Sequence, residues 1–222
     1  MTKRVIVFGS SGDIGSEITL ELIKSGFEVT SSSSQDCNFL SAASVSDFLE
    51  SVHFTPHHLV FASGINHPQP ILDMSMSDFD DSMRVNFESI ARITTYFAEA
   101  QAKIGGSSNV ALSSLYAEGA RVGRSGYSAS KAALEALFRS LATELGPRGV
   151  RYNVIRPGFI GTRLTYSNNS ESQISHMVSR IPMNRLGTPG EVASVVKFLL
   201  SDSSSYVNGS VVTVDGGYSG AS

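Results

Sequence analysis

A tyrosine and a lysine four residues apart, Tyr127 and Lys131, have the residue types and the spacing to carry out proton transfer. On the helix predicted around them, a spacing of four places both side chains on one face. An ammonium group near a phenol stabilises the phenolate and lowers the pKa of the phenol. Such a tyrosine can exchange a proton with an alcohol or carbonyl oxygen near neutral pH. The same spacing also arises by chance on exposed helix faces, so the pair needs support from other motifs.

Three polar residues elsewhere could assist this chemistry. Ser113 and Ser114 close a predicted strand, at the edge where ligands bind in open α/β sheets. A hydroxyl there can hydrogen-bond a reacting oxygen, or it can simply cap a turn. Asn86 lies in the middle of a predicted helix, where asparagine is a poor helix former. It either faces solvent or interrupts the helix and holds a water.

A turn rich in glycine and serine lies between the first predicted strand and the first predicted helix. Small residues let the backbone approach a pyrophosphate, and the helix N-terminus offers free N–H groups and a positive dipole end. A tight structural turn is the plain alternative, but the strand–turn–helix context at the start of the chain favours a dinucleotide. The turn consists of Gly9, Ser10, Ser11, Gly12, Asp13, Ile14 and Gly15.

The end of the second predicted strand bears on which dinucleotide binds. An acidic residue there bonds the ribose hydroxyl of NAD, and its absence leaves room for the 2′-phosphate of NADP. Residues 30–34 are a threonine and four serines, without a carboxylate. Hydroxyls such as those of Ser33 and Ser34 can donate to a phosphate, so the sequence favours NADP(H) over NAD(H).

The elements that must position these residues alternate between strands and helices. This alternation predicts an α/β fold: a Rossmann-type doubly wound parallel sheet with helices on both faces, in one dinucleotide-binding and catalytic domain over 1–222. A threonine, a proline and a glutamate at 188–191 predict a capping box at the start of the last helix. Strands are predicted at 3–8, 27–32, 59–62, 109–113, 150–155 and 211–214, and helices at 14–25, 77–103, 126–145 and 189–200.

Composition excludes several classes of protein. The chain has 222 residues, with 41% hydrophobic and 17% charged, as in an ordinary globular domain. A net charge of -3 argues against a nucleic-acid binder. One cysteine, Cys37, rules out an internal disulfide, and five histidines show no metal-ligand spacing, so no metal is expected.

The N-terminal apolar run Val5–Phe8 is too short for a signal peptide, and no stretch is long enough to cross a bilayer. We expect a cytoplasmic protein that binds no membrane.

Taken together, the motifs resemble those of the short-chain dehydrogenase/reductase family, and nearly the whole chain takes part. The order and spacing of several motifs make the resemblance specific, and the chain is similar to 3-oxoacyl-carrier-protein reductases within the family. The serine thirteen residues before the tyrosine is Ser114, which the resemblance selects over Ser113. The matching stretches are the glycine turn, 127–133, 156–162, 185–193 and 209–217.

The resemblance implies a role for each of these residues. Tyr127 would be the general acid/base, Lys131 would bind the nicotinamide ribose and lower the pKa of Tyr127, and Ser114 would orient the substrate oxygen. Asn86 would hold a water that relays protons through Lys131. The cofactor would be contacted by the glycine turn and by Ser33, Ser34, Asn38, Ala62, Ser63, Gly64, Tyr127, Lys131, Pro157, Gly158, Ile160 and Thr162.

Three departures from the family pattern put details in doubt. Asp13 replaces the second turn glycine, and its carboxylate would oppose a pyrophosphate unless it points away. Both asparagines of the Asn-Asn-Ala-Gly motif are lost, and the stretch reads Phe-Ala-Ser-Gly at 61–64. The segment between Ser34 and Ser41 is too short for a helix and a strand, so the helix normally following the second strand is expected to be deleted.

The implied function is an NAD(P)-dependent oxidoreductase that interconverts a carbonyl and a secondary alcohol of a small molecule. The alternative is a non-catalytic dinucleotide-binding sensor or scaffold, which the altered positions 13 and 62 would suit. A polar lid is expected at 163–182, and Arg121, Arg124, Arg163 and His67 either line the cleft mouth or are solvated surface charges. The family also suggests a homotetramer or a homodimer.

Overall fold

The computed structural model describes residues 2–119 and 121–220. Its centre is a six-stranded sheet in which every neighbouring pair is parallel, in the order β2-β1-β3-β4-β5-β6. The order reverses beside β1, and in open α/β sheets ligands bind at the carboxyl ends of the strands flanking such a switch point. The strands are β1 Arg4–Phe8, β2 Glu28–Ser32, β3 His58–Phe61, β4 Ser107–Leu112, β5 Val150–Pro157 and β6 Val211–Val214.

Helices cover both faces of this sheet, so the predicted Rossmann-type architecture is confirmed. A π-helical segment at Arg84–Glu88 separates α3 from α4. None of the described helices combines the length and the apolar character needed to cross a membrane. The helices are α1 Asp13–Lys24, α2 Ala42–Ser51, α3 Met76–Met83, α4 Ser89–Ile104, α5 Ser125–Leu145, α6 Arg163–Ser167, α7 Glu171–Ser179 and α8 Pro189–Leu200.

The core consists of two layers because successive strand residues face opposite sides of the sheet. On β1, Ile6 and Phe8 belong to the layer that includes buried residues of α2, α4 and α5. Val5 and Val7 belong to the other layer, with buried residues of α1 and α8. Burial on both faces explains why this strand is an unbroken apolar run in the sequence.

Local signals set several helix ends. Thr188 and Glu191 form the predicted capping box at the start of α8. The predicted helix at 77–103 differs from the structure, because Ser75 rather than Ser77 is the N-cap, and its hydroxyl accepts a hydrogen bond from the Asp78 N–H. The predicted single helix is also divided by the π-helical segment.

The shortening after the second strand is confirmed. The loop 33–41 leads from β2 directly to α2, and the following strand, β3, pairs with β1. Within the described residues no strand lies beyond β2, which is therefore an edge of the sheet. The sequence patterns did not predict α2. Its signals are the N-cap Ser41 and the buried Val45 and Leu49, which share one helix face.

Candidate active site

The ends of four neighbouring strands bring most of the predicted site residues to one edge of the sheet. The glycine turn follows β1, Ala62 follows β3, Ser113 and Ser114 follow β4, and Pro157 ends β5. Parallel strands place all these ends on the same side, where an open α/β sheet binds its ligands. Helix α5, which carries the tyrosine and the lysine, packs against β5 and against the turn after Ser114.

Tyr127, Ser114 and Lys131 come together at this edge. Tyr127 is half-buried, and its hydroxyl lies near the side chain of Ser114. The Lys131 side chain is buried, with Nζ 5.8 Å from the centre of the Tyr127 ring. That ammonium group donates to the carbonyl oxygen of Leu112 at 2.8 Å. The arrangement gives a phenol, a hydroxyl and a cation within reach of one small ligand.

Burial dominates the pKa values of this pair. Burial raises the pKa of Tyr127, and the nearby Ser114 side chain and the Arg124 charge offset this only in part. Burial also lowers the pKa of Lys131 to about 8. The expected lowering of the Tyr127 pKa by Lys131 is therefore not seen, because desolvation disfavours both charged forms.

Asn86 is fully buried in the π-helical segment. Its Oδ1 accepts from the Ile65 N–H at 2.9 Å, and its Nδ2 donates to the Ile65 carbonyl at 2.9 Å and to Ser130 Oγ at 3.0 Å. Both amide N–H donors are thus used within the protein. The side chain fixes the loop after β3 to α5, and the water suggested by the sequence stays a prediction. π-Helical segments often occur at functional sites.

The glycine turn is packed tightly on its neighbours. Gly9 has a φ of 78°, and a Cβ there would lie 2.5 Å from the Ser63 nitrogen. A Cβ on Gly15 would lie 2.1 Å from the Gly9 oxygen, whereas one on Gly12 would lie 3.5 Å from the same atom. Gly9 and Gly15 are therefore required for the turn, and Gly12 is not. Gly12 is the N-cap of α1, and Ile14 packs on the core. Ser10 and Ser11 lie between Gly9 and Gly12.

The carboxylate of Asp13 points towards the lid. Its Oδ2 accepts from the Arg163 backbone N–H and its Oδ1 from Arg163 Nε, both at 2.5 Å. These bonds lower the pKa of Asp13. The Arg163 guanidinium therefore neutralises the carboxylate that replaces the family's glycine at position 13. The N-terminus of α1 keeps its positive dipole end for an anionic ligand.

Two buried hydroxyls beside the turn have no hydrogen-bond partner. Ser32 ends β2, its carbonyl accepts from Gly9 and Ser10, and its Oγ is unsatisfied. Ser63 lies against Gly9, and its Oγ is also unsatisfied. Buried polar groups normally find a partner. Unpaired hydroxyls beside a helix N-terminus suit a polar ligand such as a dinucleotide, so the residues present fit the predicted cofactor.

The loop after β2 contains a carboxylate that the predicted pattern overlooked. Asp36 Oδ2 accepts from the backbone N–H of Ser33 at 2.8 Å and from its hydroxyl at 2.7 Å. Ser34 is exposed next to it. Asn38 is exposed, and its Oδ1 accepts from the Leu40 N–H within the same loop. Asp36 lies two residues beyond 30–34, the residues on which the predicted cofactor preference rests.

The residues predicted to flank the nicotinamide follow β5. Gly158 donates to the Val214 carbonyl, and a Cβ there would lie 2.6 Å from Asp215 Cβ. Ile160 is buried and forms a parallel bridge with Gly187. Thr162 is the N-cap of α6, and its Oγ1 accepts from the Thr165 N–H. Gly64, on the other side, lies beside Lys131 and Asn86.

A buried ion pair behind the site was not predicted. Glu135 lies one turn beyond Lys131 on α5, and its side chain is only 3% exposed. It accepts from Arg156 Nε at 2.7 Å and NH2 at 2.6 Å, and from Ser113 Oγ at 2.7 Å. The buried Ser113 hydroxyl thus faces the ion pair, while Ser114 faces Tyr127. In the sequence, the glutamate one helical turn after Lys131 is the feature that could have indicated this ion pair.

The four residues predicted either to line the cleft mouth or to be solvated surface charges make different contacts in the structure. Arg163 pairs with Asp13, and His67 Nδ1 lies 3.9 Å from Asp78. Arg124 lies over the Tyr116 ring, and Arg121 lines a cavity beside the lid. Over the described part of the chain, no three or more histidine, cysteine, aspartate or glutamate residues are grouped so as to hold a metal ion.

Comparison with known proteins supplies the family. A family model described as enoyl-(acyl carrier protein) reductase matches residues 14–219. A short-chain type dehydrogenase/reductase of Sinorhizobium fredii is 35% identical over 80% of this chain and 71% of its own length. A 3-oxoacyl-[acyl-carrier-protein] reductase of Aquifex aeolicus is 33% identical over 96% of this chain and 86% of its own length.

A solved structure agrees with these matches. The structure of a 7α-hydroxysteroid dehydrogenase complexed with NADH superposes with a TM-score of 0.90 and 28% identity, over 97% of this chain and 93% of the other. With the glycine turn, the Tyr127–Lys131 pair and the sheet topology described above, these matches show that the chain belongs to the short-chain dehydrogenase/reductase family, as an oxidoreductase that interconverts carbonyl and alcohol groups with a nicotinamide dinucleotide.

Proposed function

We propose that Tyr127 is the general acid/base of this oxidoreductase, assisted by Ser114 and Lys131. The proximity of the Tyr127 and Ser114 side chains, with Lys131 buried beside the tyrosine ring, carries the proposal. Two hydroxyls directed at one point can hold the oxygen of a carbonyl or an alcohol. The domain 1–222 would carry both the cofactor and the substrate.

During reduction, the Tyr127 hydroxyl donates its proton to the carbonyl oxygen while the Ser114 hydroxyl stabilises the negative charge developing there. The carbonyl carbon would receive its hydride from a bound nicotinamide, and hydride and proton together would give the secondary alcohol. During oxidation, the phenolate of Tyr127 accepts the alcohol proton. Lys131 lies beside the Tyr127 ring and would bind the nicotinamide ribose, and Asn86 fixes the loop that packs on Lys131.

The cofactor would lie across the edge formed by the glycine turn. The free N–H groups at the start of α1 and the hydroxyls of Ser32 and Ser63 would bind its polar groups. Ala62, Ser63 and Gly64 would contact it from β3, with Lys131 binding the nicotinamide ribose. Pro157, Gly158, Ile160 and Thr162 would bracket the nicotinamide. This set follows from the family resemblance and is consistent with the positions of the residues.

Cofactor preference depends on the loop after β2. The serine hydroxyls support the predicted preference for NADP(H), and the Asp36 carboxylate opposes it because a 2′-phosphate would be repelled. Melting temperatures measured with NADPH and with NADH separately would distinguish the two. If wild type responds mainly to NADH and Asp36→Asn gains a response to NADPH, the carboxylate determines the choice. A larger response of the wild type to NADPH would support the serines.

The direct test of the enzyme is the Tyr127→Phe variant. We expect turnover of a carbonyl substrate to fall by about 10²–10⁴-fold, the contribution typical of one acid/base group, while the cofactor still raises the melting temperature. Undiminished turnover would refute the role of Tyr127. A protein that binds the cofactor but reduces no carbonyl would favour the sensor or scaffold alternative.

Assembly and location remain proposals from the family and the composition. We propose a homotetramer or a homodimer that uses the outer faces of α4 and α5, where Tyr96 of α4 is exposed. Light scattering of the purified protein would measure the number of subunits. A cytoplasmic location is consistent with one buried, unpaired cysteine, Cys37.

A further inference from the structure

An open cavity of about 340 Å³ lies under the lid, within the size range of small-molecule sites. It is formed by α7, by Arg121 from the segment between Ser114 and Tyr127, and by Phe159, which follows β5. The lining residues are Arg121, Phe159, Asn169, Ser172, Gln173, His176, Met177 and Arg180.

The charge of this cavity is one-sided. Arg121 and Arg180 line it, and none of its described lining residues is acidic. Among the described residues, neither arginine forms an ion pair with a carboxylate. Each guanidinium lies over an aromatic ring. Arg121 lies over the Tyr116 ring at 5.4 Å and Arg180 over the Tyr218 ring at 5.1 Å. Stacking orients a guanidinium and leaves most of its five N–H donors available to an anion.

The cavity adjoins the reacting residues through Tyr116. The Arg121 guanidinium donates to the Tyr116 hydroxyl. The backbone N–H of Tyr116 in turn donates to Ser114 Oγ at 3.2 Å. Phe159 connects the other wall to the end of β5, where Pro157 and Gly158 lie. The cavity therefore adjoins the two segments that carry Ser114 and Pro157.

We propose that the substrate is an oxo acid or the corresponding hydroxy acid, whose carboxylate is bound by Arg121 and Arg180 while its carbonyl or hydroxyl group lies at Tyr127 and Ser114. The proposal rests on the proposed function, because it places the reacting group at the same tyrosine. Arginine is suited to carboxylates because its planar fork can donate two parallel hydrogen bonds. Phe159 and Met177 provide apolar contacts for the carbon chain between the two ends.

Matched substrates test the proposal. Levulinate and longer straight-chain oxo acids are compared with their neutral methyl amides, and the ratio of kcat/KM for acid over amide is measured. We expect the ratio to exceed about ten in the wild type and to fall about tenfold in Arg121→Gln and in Arg180→Gln, since each removes a charge-assisted contact. Lys24→Gln is the control: it removes one exposed positive charge from the last turn of α1, at the other edge of the sheet. A ratio near one in the wild type, or a ratio that is the same in all variants, would overturn the proposal.

A binding measurement tests the anion site separately from the proposed reaction at Tyr127. With cofactor present, the melting temperature of Tyr127→Phe is measured with each acid and each amide. Stabilisation by the acid alone, lost in Tyr127→Phe/Arg121→Gln, would support the anion site even if no carbonyl were reduced. In that case only the proposed reaction would fail. Equal stabilisation by acid and amide, or none by either, would refute the anion site.

Discussion

Asp13 and Arg163 are 150 residues apart, yet the Asp13 carboxylate accepts hydrogen bonds from both the backbone N–H and Nε of Arg163. The contact joins the first turn of α1, where a cofactor pyrophosphate is expected, to the first residue of α6 in the lid. It explains how a turn of this family can tolerate an acidic residue. It also connects the cofactor side of the cleft to the substrate side.

Removal of Arg163 should weaken cofactor binding. In Arg163→Ala the Asp13 carboxylate would be left without its cation beside the phosphates, and we expect the dissociation constant to rise about tenfold, the order of one charge-assisted contact. Fluorescence titration measures the change. Asp13→Gly in the same chain should restore most of the affinity, because no carboxylate then remains to be neutralised. If the double variant binds as weakly as Arg163→Ala, the arginine contacts the cofactor directly and the carboxylate is not the cause.

Two glycines of the turn should respond differently to alanine. Gly15→Ala places a methyl group 2.1 Å from the Gly9 oxygen, so the backbone must move and the cofactor-dependent rise in melting temperature should be lost. Gly12→Ala meets the same oxygen at 3.5 Å, an ordinary contact, and should retain that rise. The pair controls for the simple addition of a methyl group. Equal behaviour of the two variants would contradict the packing of the turn.

The buried ion pair behind Ser113 should stabilise the fold only as a pair. Glu135→Leu removes the main partner of Arg156, which is partly exposed and keeps Glu118, and also leaves the Ser113 hydroxyl unpaired. We expect the free energy of unfolding to fall by about 1–3 kcal/mol. Adding Arg156→Leu should recover most of that loss, because two apolar side chains then replace two charges. Urea denaturation of the three proteins measures this. A double variant less stable than Glu135→Leu would show that Arg156 is held mainly by other contacts.

Lys131 should make stability depend on alkaline pH. Burial lowers its pKa from 10.5 to about 8, so between these values the unfolded chain binds more protons than the folded protein, and stability rises with pH. Relative to Lys131→Met, the wild type should gain up to about 3 kcal/mol between pH 8 and 10.5. The free energy of unfolding of both proteins across this range tests it, with Lys24→Met as the control for loss of an exposed lysine. A difference that does not change with pH would refute the effect of burial.

Much of the fold could be predicted because its signals are local. Val5 to Phe8 form an unbroken apolar run because β1 is buried on both faces, and Thr188 with Glu191 caps α8 with contacts three residues apart. Helix α2 was missed, since its apolar positions are few and polar serines separate them. The π-helical segment around Asn86 was foreseen only as a disturbed helix, because its hydrogen bonds extend to Ile65 and Ser130.

The class of fold, the glycine turn and the Tyr127–Lys131 pair could be read from the sequence, because strand burial, helix caps and helical spacing each depend on a few neighbouring residues. The packing in three dimensions sets which groups meet across the chain: Asp13 with Arg163, Ser113 with Glu135, and Ser114 with Tyr127. It also decided that burial, rather than the nearby ammonium group, sets the pKa of Tyr127. The physical reason is that desolvation and long-range ion pairing depend on packing between distant segments, and the local pattern of residues does not encode that packing.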